Sequence, residues 1–170
     1  EKKLLKKNYL EESEKAKKIT KSYSGINTGR IACHLSHMKT LSLFLKSKNK
    51  ICLIFEDDIK MEDPGIKLNQ IKEIMDSVPD DWDMINLGRC WDNCEMSKKI
   101  NPILVKLYSP KCRHAYIINR RGAKKMLKYC LPMGGFPGDN LVSFFIKNGL
   151  ITAYGSNRFL FSQNRAVMGS

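Results

Sequence analysis

The stretch Ile51–Asp58, ICLIFEDD, constrains this chain more than any other: five apolar residues run straight into three acids. An unbroken apolar run of that length reads as a strand buried on both faces. Three adjacent carboxylates at its end repel one another, so a site that keeps them ionised holds a cation or cationic side chains. In open α/β sheets the ligand crevice lies beyond the carboxyl ends of the strands, where these acids fall. The plain alternative is an acidic turn capping the next helix.

The flanking segments alternate in periodicity. Residues 2–19 read as a charged helix, with Glu11–Lys15 and Glu14–Lys18 at i,i+4, and 22–29 as a loop. Ile31–Lys46 repeats residues at helical spacing through Ile31, Leu35, Met38, Leu41 or Ser42, and Leu45. Asp63-Pro64-Gly65 signals a turn and Ile66–Val78 a helix. Strands are predicted at Trp82–Leu87, Ile103–Tyr108, Arg113–Ile118, Leu150–Tyr154 and Arg158–Phe161, and a short helix at Arg121–Tyr129. The Gly/Pro-rich LPMGGFPG delivers Asp139 as the N-cap of a helix over Asn140–Lys147. This order predicts a largely parallel or mixed α/β sheet, and 170 residues suffice for one domain with its own core. No run approaches the about 20 apolar residues a bilayer span requires, and the charged N-terminus shows no apolar signal-peptide core.

A net charge of +13 favours polyanions, acidic membrane surfaces or phosphorylated small molecules. Nucleic acid is disfavoured, because the aromatics are not interleaved with the lysines and no zinc-finger spacing occurs. Cys33 and Cys52 read as buried thiols. Cys112 could pair with Cys90 or Cys94 in an oxidising compartment. A zinc site completed by His114 is the poorer reading, since one CxxxC and a third Cys lack the spacing of a four-ligand set.

The polar groups that could carry chemistry are Ser36 and His37 with His34, the triplet Glu56-Asp57-Asp58, Asp139, and Gln163 with Asn164. Each has a structural reading as well, as a half-exposed helix face or a helix cap. No GxGxxG, GxxxxGK[ST] or GxSxG motif is present, which removes the commonest nucleotide loops and the hydrolase elbow.

The blocks TGRIACHLSHMKTLSLFLK, ICLIFEDD, WDMINLG, HAYIINRRGAKKML, PGDN and FLFSQN, in that order, resemble glycosyltransferase family 25. That family includes lipooligosaccharide and collagen hydroxylysine galactosyltransferases. The resemblance covers roughly residues 28–165, and the Cys-rich form is closest to eukaryotic or large-virus members, which leaves the endoplasmic reticulum or Golgi lumen and a viral or host cytoplasm all open. It implies a GT-A-like, Rossmann-related mixed sheet flanked by helices. It also implies a UDP-sugar donor, UDP-galactose or UDP-glucose, and a divalent cation, typically Mn2+. The acceptor would be a hydroxyl on a glycan or a collagen-like protein.

By the same resemblance the acidic triplet is the family's DxD-like motif. Asp58 is the direct metal ligand; Glu56 joins it or, with Asp57, orients waters, the ribose or the donor sugar. Ser36 and His37 face the donor, and Gln163 closes the site. Asp139 is the base that takes the acceptor proton in an inverting displacement. Two departures stand out. Arg30 and Ala32 replace the family's acidic-glycine pair, and no Asn-Leu, Arg-rich strand precedes residue 28. The expectation is therefore a charged helix and loop over 1–27, then a family-25-like domain over 28–170 without its N-terminal donor-binding strand. A non-catalytic glycan- or protein-binding descendant of the same fold is the rival expectation.

Overall fold

The computed structural model describes residues 28–60, 63–131, 138–157 and 160–164. The helix predicted at 2–19, most of the 22–29 loop and the bulk of the Gly/Pro segment lie outside them. Helix α1, Thr28–Lys46, leads into β1, Ile51–Phe55, then β2, Ile59–Lys60, and α2, Pro64–Ser77. After β3, Met84–Asn86, the chain forms β4, Lys98–Lys99, β5, Leu104–Lys106, and β6, Ala115–Asn119. It ends with α3, Arg120–Cys130, α4, Gly138–Lys147, β7, Ala153–Ser156, and β8, Ser162–Gln163.

Six strands form one sheet in the order β1-β6-β3-β7-β5-β4, while β2 and β8 pair separately. Among the described residues only β3 and β7 run parallel; the other pairs are antiparallel. The mixed sheet with helical flanks is therefore as expected, but its bias is antiparallel. The connection from β3 to β7 carries α3 and α4 and returns the chain in the same sense, whereas β6 is flanked by strands of opposite sense.

Period-two alternation sorts the strand side chains onto two faces. Ile54, Met84, Tyr116, Ile118 and Ala153 pack with α1, α3 and α4 through residues such as Leu41, Met126 and Val142. Ile85, Ala115, Ile117 and Tyr154 pack on the other side with Ile74 of α2 and with Leu160 and Phe161. Ile74 is the only buried residue of α2, so the second face has the thinner cover.

Several expectations need correction. Strand β1 is an edge strand among the described residues, not one buried on both faces: Ile51 is 46% and Leu53 41% exposed, and only Ile54 is buried. Five consecutive apolar residues hid this because α1 covers only alternate positions. The inward stripe of α1 is His34, His37, Met38, Leu41 and Phe44: Met38 and Leu41 face inward as the apolar series predicts, while His34, His37 and Phe44 are buried in place of Ile31, Leu35 and Leu45, both histidines finding polar partners inside. Cys33 is exposed and Cys52 half-buried. The strand expected at 150–154 begins later, at Ala153, and the last described pairing is at Ser162–Gln163.

Cys90 and Cys112 form a disulfide, and Cys94 is free and exposed. His114 donates from Nε2 to the Phe161 carbonyl at 3.1 Å, with its Nδ1 3.9 Å from the Cys90 sulfur. Cys94 does not join Cys90, Cys112 and His114 in a metal-ligating group among the described residues.

Asp83, fully buried at the start of β3, holds this sheet to α3. It accepts from Arg121 Nε at 2.7 Å, Lys125 Nζ at 2.5 Å and the Thr152 amide at 2.9 Å. Gly122 lies close beneath, where a Cβ would come within 2.2 Å of the Asp83 carbonyl oxygen. Replacing Asp83 by Ala strands the Thr152 amide and takes the carboxylate from two partly exposed cations, and should cost about 3 kcal/mol of unfolding free energy. Urea unfolding with an unchanged midpoint would show that the cluster does not hold the fold.

Candidate functional site

The ladder of β1 runs one residue past the strand, as the Glu56 amide donates to the His114 carbonyl at 2.9 Å. Asp57 and Asp58 then turn the chain into β2. Pairing of Ile59 with Gln163 brings the C-terminal segment back over the acids. Gln163 Nε2 donates to Asp58 Oδ2 at 2.9 Å and lies 3.5 Å from Glu56 Oε2. The Asn164 amide donates to the Asp58 carbonyl at 2.6 Å.

The opposite wall comes from α1. His37 is buried, with Nε2 2.9 Å from Glu56 Oε1 and Nδ1 3.1 Å from the Tyr116 hydroxyl. A neutral ring satisfies all three groups: Nε2–H donates to the carboxylate, and Tyr116 donates to Nδ1. Burial lowers the His37 pKa, with the Glu56 hydrogen bond opposing it. The His37 hydrogen bond in turn holds Glu56 below its usual value, against its own burial. Complete burial pushes the Tyr116 hydroxyl up, so it stays protonated.

Cys33, one turn before His37, donates to Glu56 Oε1 at 3.5 Å. The residue as a whole is exposed, but loss of hydration around its sulfur, together with Glu56, pushes the thiol up to about 11. Ser36 sits at the rim, its hydroxyl donating to the Ala32 carbonyl at 2.9 Å.

Ser36, His37, Glu56, Asp57, Asp58 and Gln163 line one cavity of about 490 Å3. The fold thus gathers these six candidates, while Asp139, His34 and Asn164 do not line this cavity. The residues fit a hard cation at one point in particular: Asp58 is 7% exposed, and its Oδ1 is buried with no hydrogen-bond partner. A bare buried carboxylate oxygen is costly unless a cation or donor meets it, and carboxylate oxygens suit Mn2+ or Mg2+. The acids do not form a three-carboxylate group among the described residues; Glu56 clusters instead with Cys33 and His37.

Asp139 lines a second cavity, of about 710 Å3, that shares Cys33, Glu56 and Gln163 with the first. It stands in the first turn of α4 rather than at the cap, and its Oδ1 accepts from the Asn140 amide at 2.9 Å. The helix begins at buried Gly138, where a Cβ would lie 2.3 Å from His34 Nδ1 and 2.5 Å from Arg113 Nη2. A side chain at this position would collide with both.

Lys111, Arg113 and Cys33 also line this second cavity, and sequence reasoning missed all three as site residues. The available signal was an arginine at the mouth of the apolar run HAYIIN, and a Cys-x3-His pair on one helix face.

His34 donates from Nε2 to the Cys130 carbonyl at 2.7 Å and is fully buried. Burial, reinforced by the Arg113 charge, lowers its pKa to about 4. The unfolded chain takes up this proton near pH 6.5, so the neutral ring's contribution is present above about 6.5 and lost as pH falls towards about 4. That contribution is about 3 kcal/mol. Urea unfolding at pH 7 and pH 4.5 should show a fall of that order, and His34→Gln should flatten it; an unchanged slope would contradict the assignment.

A protein-family model described as glycosyltransferase family 25 (LPS biosynthesis protein) matches residues 1–142. Procollagen galactosyltransferase 2 of Mus musculus is 27% identical to this chain over 106 residues, 60% of the chain. The chain spans 17% of that relative's length.

Proposed function

This chain belongs to glycosyltransferase family 25, and from that premise we propose that it moves a hexose, galactose or glucose, from a UDP-sugar to a hydroxyl acceptor on a glycan or a collagen-like protein. The observation that carries this reading is the partnerless, buried Oδ1 of Asp58, a residue that lines a cavity together with His37 and Gln163.

A bound divalent cation, Mn2+ or a similar ion, supplies positive charge that offsets the diphosphate as it leaves. Asp58 would hold it through Oδ1, while Gln163 fixes the carboxylate through Oδ2. Tyr116 orients His37, and His37 orients Glu56, which with Asp57 positions the donor. Ser36 meets the donor at the rim. The donor lies in the smaller cavity and the acceptor in the larger, the two meeting beside Glu56 and Gln163.

Asp139 is the base. As the acceptor oxygen bonds to the anomeric carbon, its proton passes to the Asp139 carboxylate. The bond from that carbon to the diphosphate breaks, with the electron pair leaving on UDP and inversion at carbon. A hydrogen bond from the Asn140 amide to Oδ1 holds the carboxylate in place.

The test is thermal unfolding with UDP and Mn2+, alongside transfer assays with a panel of UDP-sugars. Mn2+-dependent protection by UDP should appear in the native chain and vanish in Asp58→Asn. Asp139→Asn should keep that protection and lose at least about 100-fold in transfer rate. Equal protection in Asp58→Asn would remove the metal assignment, and full turnover in Asp139→Asn would remove the base.

A further inference from the structure

Arg113 has no role in the mechanism above, yet its environment is the least comfortable in the site. The side chain is 7% exposed, and its Nε and Nη1 are buried without a hydrogen-bond partner among the described residues. No salt bridge to it is found among those residues either, although its charge reaches Glu56 and helps hold that carboxyl below its usual value. A guanidinium taken out of water without a counter-ion is strongly disfavoured, so its retention calls for compensation from elsewhere.

The surroundings point to where that compensation enters. Arg113 lines the 710 Å3 cavity, and its Nη2 end lies against Gly138 at the start of α4. Lys111 adds a second cation, its Nζ held 2.5 Å from Asn140 Oδ1. The nearby acids are already engaged: Glu56 with His37 and Cys33, and Asp139 with the Asn140 amide.

The position of Arg113 is also fixed from behind. Cys112 is tied to Cys90, holds a left-handed backbone with φ 66°, and accepts at its carbonyl from Asn86 Nδ2 at 3.1 Å. A cation anchored in this way loses little freedom when it meets a ligand.

We propose that Arg113 is the oxyanion-recognition residue of the larger cavity, taking a phosphate or carboxylate group carried by one of the two substrates. A planar guanidinium matches the paired oxygens of either group. This deepens the transferase reading and rests on it for the identity of the two substrates. The oxyanion is either the donor's diphosphate or an acid group on the acceptor.

Thermal unfolding with two probes separates these sources: UDP with Mn2+, and glucuronate with glucose as its neutral control. Without ligand, Arg113→Met should melt at or above the native temperature, since an unpaired buried charge is removed. Its half-saturation concentration should rise about 10- to 100-fold for one probe. A loss confined to glucuronate assigns the oxyanion to the acceptor; a loss confined to UDP with Mn2+ assigns it to the donor. Unchanged affinity for both probes overturns the proposal and leaves Arg113 a structural cation. Should the Met variant not fold, Arg113→Lys keeps the charge without the planar fork, and unchanged affinities in that variant overturn the proposal equally. If UDP with Mn2+ protects not even the native chain, the donor site fails by itself, and the glucuronate comparison still decides on Arg113.

Discussion

Three carboxylates in succession at the end of one strand are tolerable only if donors or cations reach them. The fold brings two distant segments to do so. Helix α1 carries His37 to Glu56, and the pairing of β2 with β8 carries Gln163 to Asp58 across 105 residues. Much of the architecture can be understood from this need. Helix α1 packs with two histidines inward, Tyr116 supports one of them from the central sheet, and the final segment returns over the turn that the acids form.

The charges inside this protein fall into two kinds. Asp83 is buried and meets a guanidinium, an ammonium and a backbone amide, so it stabilises the joint between sheet and α3. Asp58 Oδ1 and most of the Arg113 guanidinium are buried with no partner among the described residues. Both lie at the walls of cavities that meet at Glu56 and Gln163. A fold optimised only for stability would pair such groups or replace them with apolar ones. These unmatched groups of opposite sign, one in each cavity, are the ones on which the proposed metal and oxyanion roles rest.

Procollagen galactosyltransferase 2 shares only a limited stretch with this chain, so the physical case for the transferase rests on the site. Most of the site was legible in the sequence. The acidic triplet at a strand end, Ser36 and His37 on a helix face and Gln163 near the last strand stood out as polar groups, and the order of blocks tied them together. They do converge on one cavity. Arg113 was not legible, because a single basic residue before an apolar run looks like a solvated strand end. Only its burial beneath Gly138 distinguishes it.

Local periodicity by itself determined that there would be a helix before ICLIF, strands at MIN and AYIIN, and helices after each acidic or glycine-rich turn. These depend on neighbours within a few residues, which a sequence displays directly. Tertiary structure alone decided that β1 lies at an edge among the described residues, that Cys112 pairs with Cys90 rather than Cys94, and that Asp139 sits inside the first turn of α4. Each of these depends on which distant segment occupies the adjacent space: β6 beside β1, the 90s loop beside Cys112, His34 and Arg113 against Gly138. Periodicity reports a residue's facing but not its opposite number, and the opposite number appears only when the chain closes on itself.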